Sequence, residues 1–268
     1  MDLKLGGRVV VVTGGASGIG LAAARAFAHE GSRVAIWDLY DSTAAARDIE
    51  SESHVRVIDV LADLTDESAV AAALERTIGE LGPIDHLVHA AAVGSGKFGF
   101  PFTNLRPADW AGVIRVNVMG MVHVAHAVAP LMVARRSGTM TFVASVAGQM
   151  GSQTDPPYSA SKAANINFAQ CLAKDLAPHG VRVNTVCPGM VRTPLNRSVW
   201  QAWHDQTPAH DRLSYEEWSD RKIRSVVPLG RWQSPDSIAD MIVFLSSDRA
   251  SEVTGQTVNV DGGCVMHW

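Results

Sequence analysis

Tyr158 and Lys162 stand four residues apart in Tyr158-Ser159-Ala160-Ser161-Lys162, at the head of an apolar stretch with helical spacing. That spacing sets a phenol and an ammonium on one face of a helix. A phenol of ordinary pKa near 10 is a poor base at neutral pH, whereas a neighbouring cation favours the phenolate. Lowering the pKa by about 3 units takes roughly 4 kcal/mol of differential stabilisation. The pair suits proton exchange with an oxygen atom, and Ser145, at the end of an apolar run upstream, adds a hydroxyl to the set.

A second constellation is Thr13-Gly14-Gly15-Ala16-Ser17-Gly18-Ile19-Gly20, which follows one apolar run and opens a helical pattern at Leu21. Gly14, Gly18 and Gly20, lacking Cβ atoms, let backbone approach a pyrophosphate, and the helix start around Ser17 and Ile19 offers unpaired N–H groups. Asp38 closes the next apolar run 18 residues after Gly20, near the offset expected for an acid that binds a ribose. A carboxylate there repels a 2′-phosphate, and neither the glycine turn nor Leu39-Tyr40 supplies an arginine or lysine to hold one, so NAD(H) is expected over NADP(H). Capping of the next helix is the other reading of Asp38. Asp63-Leu64 could bring a carboxylate to the adenine amino group, or be a surface turn. An oxidised nicotinamide beside Tyr158 would favour its phenolate further.

Runs rich in β-branched residues recur at 8–13, 33–38, 54–59, 84–89, 138–145, 181–187 and 257–260, and each reads as a strand. Helical patterns lie between them, at 18–30, 66–81, 107–135, 158–177 and 235–246. Alternation of this kind predicts one doubly wound α/β domain over 1–268, with a seven-stranded, mainly parallel sheet and chemistry at the carboxyl ends of the strands. Residues 190–231 break the rhythm with several tryptophans, charges and prolines, and read as a substrate lid.

The TGxxxGxG turn at 13–20, Ser145, Tyr158-x-x-x-Lys162 and Pro188-Gly189 together resemble the short-chain dehydrogenase/reductase superfamily of classical type, over nearly the whole chain. The resemblance implies a Rossmann fold and a catalytic tetrad of Asn117, Ser145, Tyr158 and Lys162. In that tetrad Tyr158 exchanges the proton, Ser145 steadies the substrate oxygen, Lys162 also holds the nicotinamide ribose, and Asn117 orders a relay water. A buried structural amide is the plainer reading of Asn117. The resemblance further implies that the backbone of Ala90, Ala91 and Ala92 passes the adenine ribose, and that Val191 and Thr193 bind the nicotinamide carboxamide. His89 departs from the pattern, standing where relatives commonly carry an asparagine that stabilises the central sheet; it is read as a satisfied structural histidine. A homotetramer is the implied assembly, in keeping with helices 107–135 and 158–177 being apolar on more than one face.

Composition narrows the function. A net charge of −4, with both signs interspersed and no basic stripe, argues against a nucleic-acid partner. The apolar stretch 119–134 is interrupted by His123, His126 and Pro130, and reads as a buried helix rather than a membrane span. The N-terminus shows no export pattern, and Cys171, Cys187 and Cys264 form neither a disulfide framework nor metal-ligand spacing, so a cytoplasmic protein without a metal is expected, its cysteines small and buried. The substrate wall is read at 93–100, 146–157 and 190–232, with the C-terminal Met266-His267-Trp268 a further candidate. Gln149, Gln153, Met190, Arg197 and Trp203, together with Ser145 and Tyr158, are the candidate contacts, although the tryptophans could simply pack the lid. Such a wall suits a small polyol, sugar or hydroxy acid, and Arg197, if it faces the nicotinamide, a carboxylate or sulfonate. The competing enzyme reading is an NADPH-dependent β-ketoacyl reductase; a catalytically dead dinucleotide-binding subunit would have lost Ser145, Tyr158 or Lys162.

Overall fold

The computed structural model describes residues 2–152 and 154–266. Its strands are β1 (Val9–Thr13), β2 (Arg33–Asp38), β3 (Val57–Leu61), β4 (His86–His89), β5 (Gly138–Val143), β6 (Val181–Pro188) and β7 (Thr257–Val260). They pair in the order β3-β2-β1-β4-β5-β6-β7, and every pairing is parallel. The order reverses between β1 and β4, and the crevice of an open α/β sheet opens at such a reversal, beyond the carboxyl ends of the strands.

Consecutive apolar residues in β1 and β2 feed two cores, because successive side chains point to opposite faces. Val9, Val11, Ala35 and Trp37 pack on one face, and Val10, Val12, Val34 and Ile36 on the other. Helices α1 (Gly18–His29), α2 (Thr43–Ser53) and α9 (Pro235–Ser246) cover the second face. The first is covered by α3 (Glu67–Leu81), α5 (Gly120–Arg135) and α6 (Pro156–Leu176).

Three details depart from the sequence expectation. The stretch 107–135 is not one regular helix: α4 (Ala108–Ile114) joins α5 through a π-helical segment, Arg115–Met119, a widened turn of the kind that often marks functional sites. The rod is long and apolar enough to cross a membrane, yet Met121, Val124, Val128 and Met132 are buried against the sheet. His54 does not begin β3; it ends α2 in the left-handed region at φ 60°, which delays the strand to Val57. Of the cysteines only Cys187 is buried, while Cys171 is exposed and Cys264 is intermediate.

After β6 come α7 (Pro194–Gln206) and α8 (Tyr215–Val226), the helices of segment 190–231. Thr193 caps α7 by accepting the Asn196 N–H, and a reciprocal Ser214–Glu217 pair caps α8. Trp218 is buried between them, with Trp203 at 6.4 Å and Tyr215 at 6.3 Å between ring centroids.

Two histidines sit inside the sheet. His86 Nδ1 lies 2.8 Å from Thr139 Oγ1, and His89 Nδ1 lies 2.9 Å from Thr13 Oγ1. Burial lowers the pKa of His86 to about 4 and that of His89 to about 3, the Lys162 charge adding to the second. Both are neutral in the folded protein and protonate near pH 6.5 once unfolded, so the unfolded chain binds more protons below that pH. Stability should therefore fall as pH drops from 6.5 toward about 4, by on the order of 2 kcal/mol per histidine at pH 5. Denaturant midpoints at pH 7.5 and pH 5 test this, and His89→Asn should flatten the dependence. Equal midpoints would mean that neither imidazole is held neutral.

Candidate functional site

α6 starts because Asp155 accepts the Tyr158 N–H and Pro156 fills the first helical position, where a missing N–H costs nothing. From that start Tyr158, Ser161, Lys162 and Asn165 recur at i, i+3, i+4 and i+7, one stripe facing the crevice end of the sheet. Lys162 is 2 % exposed; its Nζ donates to the Val143 carbonyl at 2.6 Å and lies 5.6 Å from the centre of the Tyr158 ring. Two of its three ammonium donors have no other partner among the described residues. Ser145, just beyond β5, has its side chain beside the Tyr158 phenol, close enough to hold the phenol's pKa down.

The structure thus brings Ser145, Tyr158 and Lys162 together, but not with the phenol acidified. Burial pushes the Tyr158 pKa above its ordinary value, and the charge of Asp155 pushes the same way against the Ser145 hydrogen bond. Lys162, still cationic at neutral pH with a pKa that burial draws down to about 8, does not overcome this, its nitrogen donating to the Val143 carbonyl. Tyr158 of the ligand-free protein is therefore a proton donor. Behind the group lies Cys187, whose thiol burial raises to about 11.

Asn117 falls on the π-helical segment and is fully buried. Its Oδ1 accepts the Val93 N–H at 2.8 Å, and its Nδ2 donates to the Val93 carbonyl and to Ser161 Oγ, each at 2.9 Å. These bonds brace the Asn117 side chain, and Ser161 carries the link on to the Tyr158 carbonyl at 2.7 Å. Asn165 donates to the Asn117 main-chain carbonyl at 2.8 Å. Ser161, Asn165 and Asp155 were missed from sequence, although their signals were present. Polar residues three and seven places after Tyr158 fall on the buried face of an otherwise apolar helix, and an Asp-Pro pair marks its start.

The glycine turn fits a dinucleotide. Gly14 has φ +68°, and a Cβ there would lie 2.6 Å from the Ala91 Cα; one on Gly20 would lie 2.1 Å from the Gly14 carbonyl oxygen. Backbone is packed to the limit, pressing the turn against Ala90 and Ala91 after β4, with Ala92 next in the chain. Ser17 makes no side-chain cap and the first turn of α1, with Gly18 and Ile19, holds no acid, so its N–H groups are left for a phosphate. Asp38 Oδ2 accepts the Ala16 N–H at 2.9 Å and Oδ1 the Tyr40 N–H at 3.1 Å, so this carboxylate bonds the glycine turn rather than capping α2. Each oxygen keeps a lone pair for a ribose hydroxyl. Leu39 beside it is 55 % exposed. Asp63 is exposed and closes a turn by accepting the Thr65 N–H at 2.9 Å, while Leu64 is buried under α5 against Gly120. Beyond Pro188, Gly189 lies against Asp261, Val191 is buried and bridges to Gln233, and Thr193 comes within 3.5 Å of where a Gly18 Cβ would be. Both ends of a dinucleotide cleft are thus present at one edge of the sheet.

Two substrate candidates are redirected. The Gln149 amide pairs both ways with Asn259, at 2.7 and 3.0 Å, tying the loop after β5 to β7 instead of offering itself to a substrate. Arg197 lies over the rings of Tyr215 and Trp200, at 5.0 and 5.8 Å, as part of the lid's aromatic stack. Met190 holds the Gln233 N–H through its carbonyl at 2.9 Å. Trp203 lines a groove of about 740 Å³ with Lys97, Phe98, Phe100 and Pro208; Tyr158 is not among its walls. Gln153, His267 and Trp268 lie outside the described residues.

A family model described as enoyl-(acyl carrier protein) reductase matches residues 14–265. The chain is 33% identical to 3-oxoacyl-(acyl-carrier-protein) reductase FabG of Thermotoga maritima, over 98% of this chain and 100% of that protein. It is 36% identical to cis-4-hydroxycyclohexanecarboxylate dehydrogenase of Sinomonas cyclohexanicum, over 96% of each. Among solved structures, L-sorbose reductase of Gluconobacter frateurii, complexed with NADPH and L-sorbose, superposes with a TM-score of 0.90 at 29% identity, covering 100% of both chains.

Proposed function

The chain belongs to the short-chain dehydrogenase/reductase family, and on that premise we propose that it is an NAD(H)-dependent oxidoreductase interconverting a secondary alcohol and a ketone on a small polar substrate. The observation that carries the reading is the meeting of Ser145, Tyr158 and Lys162 beside a glycine turn that fits a dinucleotide. Gly14, the first turn of α1, Asp38, Lys162, Val191 and Thr193 would hold that cofactor. When bound, it supplies or removes the hydride.

The protein's own groups manage the proton. In the reductive direction Tyr158, protonated in the ligand-free protein, gives its proton to the substrate oxygen while Ser145 donates a hydrogen bond to the same oxygen. The ammonium of Lys162 stabilises the phenolate left behind, and its unspent donors suit the ribose hydroxyls. In the oxidative direction the same phenolate takes the alcohol proton, which requires positive charge beyond what Lys162 provides alone. The NAD(H) preference rests on the Asp38 carboxylate at the tip of β2.

The likeness to 3-oxoacyl reductases keeps an NADPH-dependent β-ketoacyl reductase as the second reading. L-sorbose reductase and the hydroxycyclohexanecarboxylate dehydrogenase support a small polar substrate. Secondary alcohols, polyols and sugar acids screened with NAD⁺ and NADP⁺, alongside acyl thioesters with NADH and NADPH, separate the two. The expected result is NADH formation from a polyol or hydroxy acid, whereas turnover confined to thioesters with NADPH would transfer the assignment. A cytoplasmic homotetramer completes the proposal.

A further inference from the structure

Three walls of the catalytic cleft meet at one buried carboxylate. Asp155 is 7 % exposed, its Oδ2 accepts the Ser95 N–H at 2.8 Å, and its Oδ1 accepts the Tyr158 N–H at 3.4 Å. Gly94 is wedged between Asp155 and the lid: a Cβ there would lie 2.9 Å from Asp155 Oδ2 and 3.7 Å from Leu195 Cδ1. The loop after β4, the start of α6 and the first turn of α7 therefore converge within one residue's width of this oxygen.

No cation faces it among the described residues. Lys97, on the same loop, gives its ammonium to both oxygens of Asp109 at 2.9 Å. Arg197, on the lid, stacks on Tyr215 and Trp200, and Lys162, on the next turn of α6, donates to the Val143 carbonyl. Burial raises the Asp155 pKa against the pull of its hydrogen bonds, as expected of a carboxylate without a counter-ion. Each oxygen still has acceptor capacity beyond its one backbone donor.

Resting on the oxidoreductase reading and narrowing it, we propose that Asp155 makes this cleft selective for electrically neutral, hydroxyl-rich substrates of the sugar and polyol class, and against those carrying a carboxylate or phosphate. A substrate bound at Tyr158 would lie beside the same helix start, three residues from Asp155, and its hydroxyls would donate to that carboxylate. An anion there meets a like charge in a partly desolvated site, a repulsion that suffices for discrimination of about 100-fold. With Arg197 turned into the lid, no cation among the described residues offsets it.

The test measures kcat and KM on the whole chain with its dinucleotide, for a neutral polyol and an aldonic acid of equal carbon number. The wild type should favour the polyol by about 100-fold in kcat/KM. Asp155→Asn, which keeps an acceptor for the backbone, and Asp155→Ser, which keeps a helix cap, should each narrow that ratio at least tenfold, chiefly through a lower KM for the acid. Equal or preferred use of the acid by the wild type overturns the proposal even if neither variant folds. An unchanged ratio in folded variants overturns it as well, with the oxidoreductase reading left intact. Failure to turn over any alcohol or ketone removes that reading, and this one with it.

Discussion

Tyr158→Phe is expected to lower kcat by about 10²–10⁴-fold, the range for losing a positioned acid or base, while dinucleotide affinity stays within a few-fold of the wild type. The substitution deletes one oxygen. The ring that Lys162 faces at 5.6 Å remains, as does the Lys162 bond to Val143, so the part of the site that would hold the ribose is undisturbed. Ser145 loses its phenol neighbour but still accepts the Ala147 N–H at 3.1 Å. Dinucleotide titration by fluorescence and steady-state kinetics on the same preparation separate binding from chemistry. Turnover within tenfold of the wild type would move the proton to another group, and a parallel loss of dinucleotide affinity would make Tyr158 a binding residue first.

The elements were legible where period and punctuation agreed. Seven β-branched runs gave seven strands because a parallel sheet covered on both faces needs consecutive apolar residues of that type. The widened turn at Arg115–Met119 was not legible, since a π-helical insertion adds no distinctive residue type, only a shift in phase. The lid was recognised by its lack of strands, yet the direction of Arg197 depends on Tyr215, 18 residues further on and brought alongside by the packing of α7 on α8. Gln149 is a similar case, because its partner Asn259 lies across the sheet on β7. Motifs picked out the candidate reacting groups. The protonation of Tyr158 was set by burial, a tertiary quantity that the four-residue spacing to Lys162 cannot reveal. His89, read from sequence as satisfied, is only half so: its Nδ1 meets Thr13 Oγ1, while its buried Nε2 has no partner among the described residues.

Asp38→Ala should lower the ratio of kcat/KM with NAD⁺ to that with NADP⁺ by about 100-fold. A hydrogen bond from a hydroxyl to a charged acceptor is worth about 1.5–3 kcal/mol, so removing the carboxylate costs NAD(H) on the order of 10–150-fold. The same change lifts a like-charge repulsion from the 2′-phosphate of NADP(H), which shifts the ratio further in one direction. The alanine also takes the acceptor from the Ala16 N–H, which loosens the glycine turn for both coenzymes alike and should cancel in the ratio. Asp38→Asn separates these effects, because its amide oxygen can still accept from Ala16 while its charge is gone. If charge governs the choice, Asn and Ala shift the ratio alike and differ only in absolute affinity. A ratio that neither substitution moves would leave Asp38 as a brace for the glycine turn and nothing more.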